Sequence, residues 1–214
     1  GIAIKEAMKR AGIPATSVDE CIMGEVLTAG VGQAAARQAD LKGGLPDSVP
    51  CLTINKVCGS GLKAVMLAAD SIALGNSKVV VAGGQENMSL APHLLENSRT
   101  GYRMGSTQII DSMIKDGLWD PYNNWHMGNA AELCVKKYSF TREEQDSFAI
   151  NSYKKAQAAI ANGAFKSEIA AVEIDGGSRH VDHDGRGAVG RELDLLHERA
   201  CELRGGDRED RNAV

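Results

Sequence analysis

Residues 50–84 read Pro50-Cys51-Leu52-Thr53-Ile54-Asn55-Lys56-Val57-Cys58-Gly59-Ser60-Gly61, then LKAVMLAADSIALGNSKVVVAGG. The patterns in this stretch follow one another in an order that decides the fold. Pro50 to Asn55 reads as a strand. Val57-Cys58-Gly59-Ser60-Gly61 is a glycine-rich turn. A strong helix follows, with Leu62, Val65, Met66, Ala69, Ile72 and Ala73 forming one apolar stripe. Gly75-Asn76 stops it. Val79 to Ala82 is a short, fully apolar strand of the kind found in a sheet covered on both faces, and Gly83-Gly84 ends it. Strand, turn, helix and strand in succession predict an α/β fold with a mainly buried sheet.

The same alternation extends outward. Toward the N-terminus, Ile4, Ala7, Met8 and Ala11 recur at helical spacing, and Gly12 with Pro14 closes that helix. Residues 18–28, VDECIMGEVLT, read as a strand, followed by a loop and a short helix. Toward the C-terminus, residues 84–128 are rich in Gly, Asn and Pro, too much irregular chain for a simple connector, and long loops of this kind usually bind or cover something. Thr141-Arg142-Glu143-Glu144 is a capping box that opens a further helix through Phe148, Ser152 and Ala156, with Gly163 as its stop. Glu168 to Ile174 predicts a strand. Beyond it the composition changes. Residues 1–166 hold twelve lysines and five arginines, whereas the remainder has seven arginines and no lysine. A reading-frame slip near residue 185 would produce such a switch. The expected organisation is a sheet-bearing domain at 1–84, a loop and helix segment at 85–174, and a divergent, disordered tail at 175–214.

Composition narrows the function. At 214 residues and 43% hydrophobic, the chain can bury a real core. A net charge of -4 argues against a protein that coats nucleic acid. No apolar run reaches the length of a membrane span, and the first residues lack the plan of a signal peptide. The five cysteines, Cys21, Cys51, Cys58, Cys134 and Cys201, are scattered and form no CxxC pair. That leaves no motif for a zinc site, no metal is expected, and a reducing, cytoplasmic setting is the simplest expectation.

Cys58 is the candidate nucleophile. A sharp strand-to-helix turn lifts a side chain clear of the sheet, and flanking glycines let backbone and substrate approach. The N-terminus of the following helix offers free N–H groups that favour a thiolate and hold an oxyanion. The bland alternative is a small buried hydrophobe in a tight turn.

Longer motifs carry a resemblance. NKVCGSGLKAVMLAADSIALG, VVVAGGQENMSLAPHLL, SRTGYRMG, DSMIKDGLWDPYN, HMGNAAE and SFTREEQDSFAINSYKKAQAAIANGAFKSEI resemble the N-terminal half of thiolases over about residues 1–174. The subtype most similar is the short-chain, biosynthetic acetyl-CoA C-acetyltransferase. The resemblance implies the N-terminal half of a thiolase-like α/β fold, a buried mixed sheet with helices on both faces, plus a loop and helix subdomain that binds coenzyme A. It implies an acyltransferase that joins two acetyl-CoA into acetoacetyl-CoA, or runs the reverse thiolysis, through an acyl-cysteine. No permanently bound cofactor is implied; coenzyme A thioesters are the substrates. A homodimer or homotetramer is implied for the complete form.

Carried over residue by residue, Cys58 matches the acylated cysteine. His126 and Met127, in Trp125-His126-Met127-Gly128, match residues lining the acyl and pantetheine pocket, and Leu118 matches a residue near the pantetheine arm. Packing roles compete for each: a histidine between Trp125 and Met127 reads as well as a packing residue, and Met127, Leu118 and Met88 as core. Cys21, Cys51 and Cys134 read as buried and inert. The family's Gly-His-Pro, Cys-Gly-Gly and Asn-Glu-Ala-Phe motifs do not occur in these residues, and Cys201 is followed by Glu202 and Leu203 rather than by two glycines. The chain therefore reads as truncated at both ends and inactive alone. The alternative is a non-catalytic subunit that binds coenzyme A or assists assembly and needs a partner half. A ketoacyl-synthase-like condensing enzyme is a third reading, against which the HMG and ENMSLAPH stretches speak.

Overall fold

Strands β1 (Glu20–Gly24), β2 (Cys51–Ile54) and β3 (Val80–Gly84) pair in the order β2-β1-β3, in a computed structural model that describes residues 1–172. All pairings are parallel, with Cys21 opposite Cys51 and Val81, and Gly24 opposite Ile54 and Gly84. Among the described residues this sheet is parallel rather than mixed as expected, because each strand is reached by a crossover rather than a hairpin; it carries helices on both faces as expected. Side chains alternate along β1. Cys21 and Met23 enter a core with Ile4 of α1 (Ile2–Ala11), Ala36 and Ala39 of α2 (Ala35–Gly43), Val18, Leu45 and Val49. Ile22, also buried, points to the opposite face, where α3 (Ser60–Ala73) packs on β1 and β3. Asp19 starts the frame: its carboxylate accepts the Lys78 and Val79 N–H groups at 2.6 and 2.9 Å.

The orientation of α3 corrects the expected stripe. Leu62 is 70% exposed, and Val65, Met66 and Ile72 are about half exposed, whereas Ser60, Ala64 and Ala68 are buried. The helix is apolar nearly all round, so periodicity alone did not choose the inward face. Size chose it. The ends of β1 and β3 are glycines, and only small residues let a helix lie that close: Gly61 sits 3.4 Å (Cα) from where a Cβ on Gly84 would be.

Other expectations need correction. The strand expected at 18–28 is regular only over Glu20–Gly24; beyond it, Val26 and Leu27 donate their N–H groups to the Glu86 carboxylate at 2.8 and 3.1 Å instead of to a neighbouring strand. Residues 169–172, expected to begin a strand, take no regular structure; 173–174 and the arginine-rich tail lie outside the described residues. The irregular stretch contains two short hairpins, β4 (His93–Leu94) with β5 (Ile110–Asp111) and β6 (Trp119–Asp120) with β7 (Trp125–His126), and a π-helical turn, Met113–Leu118. An unexpected helix, α4 (Met127–Tyr138), follows. Met88 is 60% exposed and Cys134 is exposed on α4, so neither is core.

The chain divides by packing into two units, residues 1–139 and residues from 140 onward. In the second, α5 (Arg142–Ala161) begins at the expected capping box, in which Thr141 Oγ1 accepts from Glu144 N at 3.2 Å and Glu144 Oε2 accepts from Thr141 N at 2.8 Å. Among the described residues no helix is long and apolar enough to cross a membrane.

Candidate active site

The carboxyl edge of the sheet is where β2 gives way to α3, and open parallel sheets bind ligands outside that edge. Cys58 stands there, exposed, between Ile54 and Ser60. The turn beneath it is strained: Val57 has φ +48°. A β-branched residue in the left-handed region costs on the order of 1–3 kcal/mol and persists only where surroundings impose it. Four hydrogen bonds impose it. Asn55 Oδ1 accepts the Val57 N–H at 2.9 Å. The Val57 carbonyl accepts from both Ser60 N at 3.0 Å and Ser60 Oγ at 2.6 Å. Ser60 Oγ itself accepts from Lys56 N at 2.9 Å. The N-cap of α3 is Gly59, which supplies no side chain to the first-turn N–H groups, so that turn stays open beside the cysteine.

The elbow is seated by glycine. A Cβ on Gly24 would lie 2.5 Å from the Ser60 carbonyl carbon and 2.6 Å from Gly61 N. The same edge is tied across strands: Gln85 N donates to Gly24 O at 2.9 Å, Glu25 N to Ile54 O at 3.0 Å, and Gln85 Nε2 to Glu25 Oε2 at 2.8 Å. Asn55 Nδ2 reaches Val26 O at 3.4 Å, linking the elbow to the loop after β1.

His126 lies on the β6–β7 hairpin, and Leu118 and Met127 flank the ends of its two strands. Leu118 ends the π-helical turn and precedes Trp119, which pairs with His126; Met127 is the next residue and opens α4. His126 Nδ1 accepts Gly128 N at 3.1 Å, which makes the histidine the N-cap of α4 and orients its ring. The ring's packing is incomplete, since His126 is only half-buried and Met127 is 42% exposed. Asp120 rigidifies the hairpin. Hydrogen bonds from the Asn123 side chain at 2.6 Å and the Tyr122 N–H at 2.8 Å hold its carboxyl below the usual range. The elbow packs on β1 and β3, the hairpin on α4 and the π-helical turn. One residue lies between these neighbourhoods: the Leu27 side chain is 3.6 Å from where a Cβ on Gly117 would be.

The remaining cysteines separate by chemistry. Cys21 is fully buried, and burial together with the nearby Asp40 charge pushes its thiol up to about 12. Cys51 is raised for the same reasons. Neither is a nucleophile at neutral pH. No cluster of His, Cys, Asp and Glu among the described residues is suited to a metal ion. Sequence reading singled out Cys58 but not the side chains that build its turn, Asn55 and Ser60, nor the Glu86 clamp. Their signal was weak, a polar residue three before and two after the cysteine.

The thiolase N-terminal domain model matches residues 1–199. An acetyl-CoA acetyltransferase of Cupriavidus necator is 59% identical over 81% of this chain, and one of Pseudomonas aeruginosa is 55% identical over 80%. A thiolase from Ascaris suum, solved in complex with coenzyme A, superposes with a TM-score of 0.76 at 42% identity, covering 80% of this chain. The chain spans about 44% of the length of these curated relatives and 45% of that structure. By its matched domain, its relatives and its fold, the chain belongs to the thiolase family.

Proposed function

We propose that this chain carries the nucleophile of an acetyl-CoA acetyltransferase, with Cys58 as the residue that is acylated. The observation that supports this reading most is the exposed thiol on a strained elbow, between a strand and the uncapped end of α3, at the carboxyl edge of the sheet. In the first half-reaction the Cys58 thiolate attacks the thioester carbonyl of acetyl-CoA. Backbone N–H groups at the start of α3 stabilise the tetrahedral oxyanion. The bond from carbon to the coenzyme A sulfur breaks, the coenzyme A thiolate leaves and takes up a proton, and acetyl-Cys58 remains. In the second, the carbanion of another acetyl-CoA attacks the acetyl group; a carbon–carbon bond forms and Cys58 leaves as thiolate. Leu118, His126 and Met127 are assigned to the wall that receives the pantetheine arm and acyl group, which their placement at the ends of the β6–β7 strands supports.

The base for the second step is not assigned to these residues, because the Cys-Gly-Gly and Gly-His-Pro motifs do not occur among them. The exposed apolar face of α3 favours one second reading: a half that binds coenzyme A but needs a partner half for condensation. The complete form is assigned a dimeric or tetrameric state, and the free thiols among the described residues suit a reducing compartment such as the cytoplasm.

Intact-mass spectrometry after incubation with acetyl-CoA tests the reading. A gain of one acetyl group (about 42 Da), absent in Cys58→Ala, is expected for a covalent acyl-enzyme. No gain in the wild-type chain, with coenzyme A still bound, would leave the binding-subunit reading in its place.

A further inference from the structure

Both peptide groups of Val57 are pinned by side chains on either side of it. Asn55 Oδ1 takes its N–H at 2.9 Å, and Ser60 Oγ donates to its carbonyl at 2.6 Å while accepting the Lys56 N–H at 2.9 Å. The torsion between those groups is the one held at +48°, where a β-branched side chain does not rest of its own accord. The peptide that Ser60 holds is the one that leads into Cys58, so its orientation sets the direction in which the cysteine leaves the turn. Ser60 is 4% exposed and wedged against Gly24, a rigid anchor. Asn55 also reaches Val26 O, so its amide is fixed from the far side.

We propose that Asn55 and Ser60 are positioning residues of the nucleophile: their side chains hold Val57 in the left-handed conformation and thereby fix how Cys58 is presented. This rests on the reading of Cys58 as the acylated residue. Neither residue touches the substrate in this role; each acts through Val57. The strain at Val57 is the part of the elbow that the two side chains offset, so removing either lets Val57 relax and the cysteine swing.

The test uses iodoacetamide on the 214-residue chain, with alkylation rates resolved by peptide at Cys58 and at Cys134, the other exposed thiol among the described residues. The readout is the Cys58-to-Cys134 rate ratio in the native chain relative to that in urea. A raised native ratio is expected for wild type. Asn55→Ala and Ser60→Ala are each expected to lower it by about fivefold, the equilibrium bias one hydrogen bond supplies. Melting temperature is followed alongside; Asn55 is exposed, so Asn55→Ala keeps the fold. Asn tolerates the left-handed region without a branched Cβ, so adding Val57→Asn to Asn55→Ala is expected to restore the ratio. A purely structural role would not give that rescue. The proposal is overturned by a wild-type native ratio no higher than that in urea, by a ratio unmoved in Asn55→Ala, or by failure of Val57→Asn to restore it. Acetylation by acetyl-CoA, followed in parallel, keeps the two ideas apart. A chain that is never acetylated but loses its ratio in Asn55→Ala refutes the acylation reading alone. A chain acetylated equally with and without Asn55 refutes the positioning role alone.

Discussion

Gly24 and Ser60 meet backbone to backbone: a Cβ on Gly24 would lie 2.5 Å from the Ser60 carbonyl carbon. No side-chain rotation relieves a clash with backbone, so either α3 or β1 must shift. Gly24→Ala is therefore expected to destabilise the chain by about 2–3 kcal/mol, as overpacking of a tight contact does. Gly59→Ala is the comparison, because a Cβ there meets its nearest atom, Lys56 O, at an ordinary 3.5 Å; it is expected to cost less than about 1 kcal/mol. Urea midpoints of the two variants decide the matter, and equal losses would show that the glycine at β1 is not what seats the elbow.

How much of this was legible beforehand follows from which forces act locally. The elbow, the capping box at Thr141 and the glycine stop after α1 are local chemistry, and all appear where the residues predict them: Gly12 takes φ +63° and Thr141 exchanges hydrogen bonds with Glu144. The inward face of α3 was not legible, because Leu62 and Ala64 both look apolar to a periodicity count. Only the glycine-lined strands beneath, which are distant in sequence, favour the smaller residue. The helix after His126 was missed because its cap is a histidine Nδ1 accepting from Gly128, a cap not among the usual Ser, Thr, Asp and Asn. The placement of Leu118, His126 and Met127 depends on pairing across a hairpin that the irregular composition concealed.

The face choice of α3 yields a contrast that can be measured. Leu62 is 70% exposed whereas Ala64 is fully buried. Leu62→Ala is expected to change the stability of this chain by less than about 0.5 kcal/mol, as surface substitutions do. Ala64→Leu is expected to cost about 2 kcal/mol or more by overpacking. The order of the two in thermal or urea unfolding is the check. The reverse order would mean that the stripe read from periodicity is the buried one after all.

Asp40 gives the chain a pH dependence with a defined sign. Its side chain is fully buried, and neither carboxyl oxygen has a hydrogen-bond partner at normal geometry. It faces the Cys21 thiol of β1 and the Cys51 thiol of β2, with Arg37 of its own helix the nearest cation acting on it. Burial raises its affinity for a proton above the ordinary carboxylate value. The folded state therefore binds that proton more tightly than the unfolded chain does. The stability this supplies is complete below about pH 4, the unfolded value, and is lost as pH rises through the higher folded value. Asp40→Ala removes the dependence. The variant is expected to lose less stability than wild type between pH 4 and pH 8, because wild type must hold an increasingly ionised carboxyl in a desolvated site. Parallel urea titrations at the two pH values test this. A variant whose pH profile matches wild type would mean that the carboxyl does not titrate in this range.

The second unit offers the cleanest local test. α5 has no buried residue among its 20 positions, so tertiary burial within the described chain contributes little to it. A helix with little tertiary burial lacks the packing that supplies most helical stability in proteins, which leaves its cap a large share of the stability. Thr141 Oγ1 satisfies Glu144 N and Glu144 returns a bond to Thr141 N, while Glu143 and Glu144 complement the helix dipole at its positive end. Thr141→Ala removes the hydroxyl acceptor and is expected to cost about 1 kcal/mol, read as faster amide hydrogen exchange at Glu144 and through the first turns of α5. Thr141→Ser keeps the acceptor and should exchange as wild type does. The effect should fade toward Ala161, because fraying starts at the end that loses its cap. Exchange unchanged at Glu144 in Thr141→Ala would show that the box does not hold the helix; exchange raised evenly along α5 would show that the helix melts as one unit.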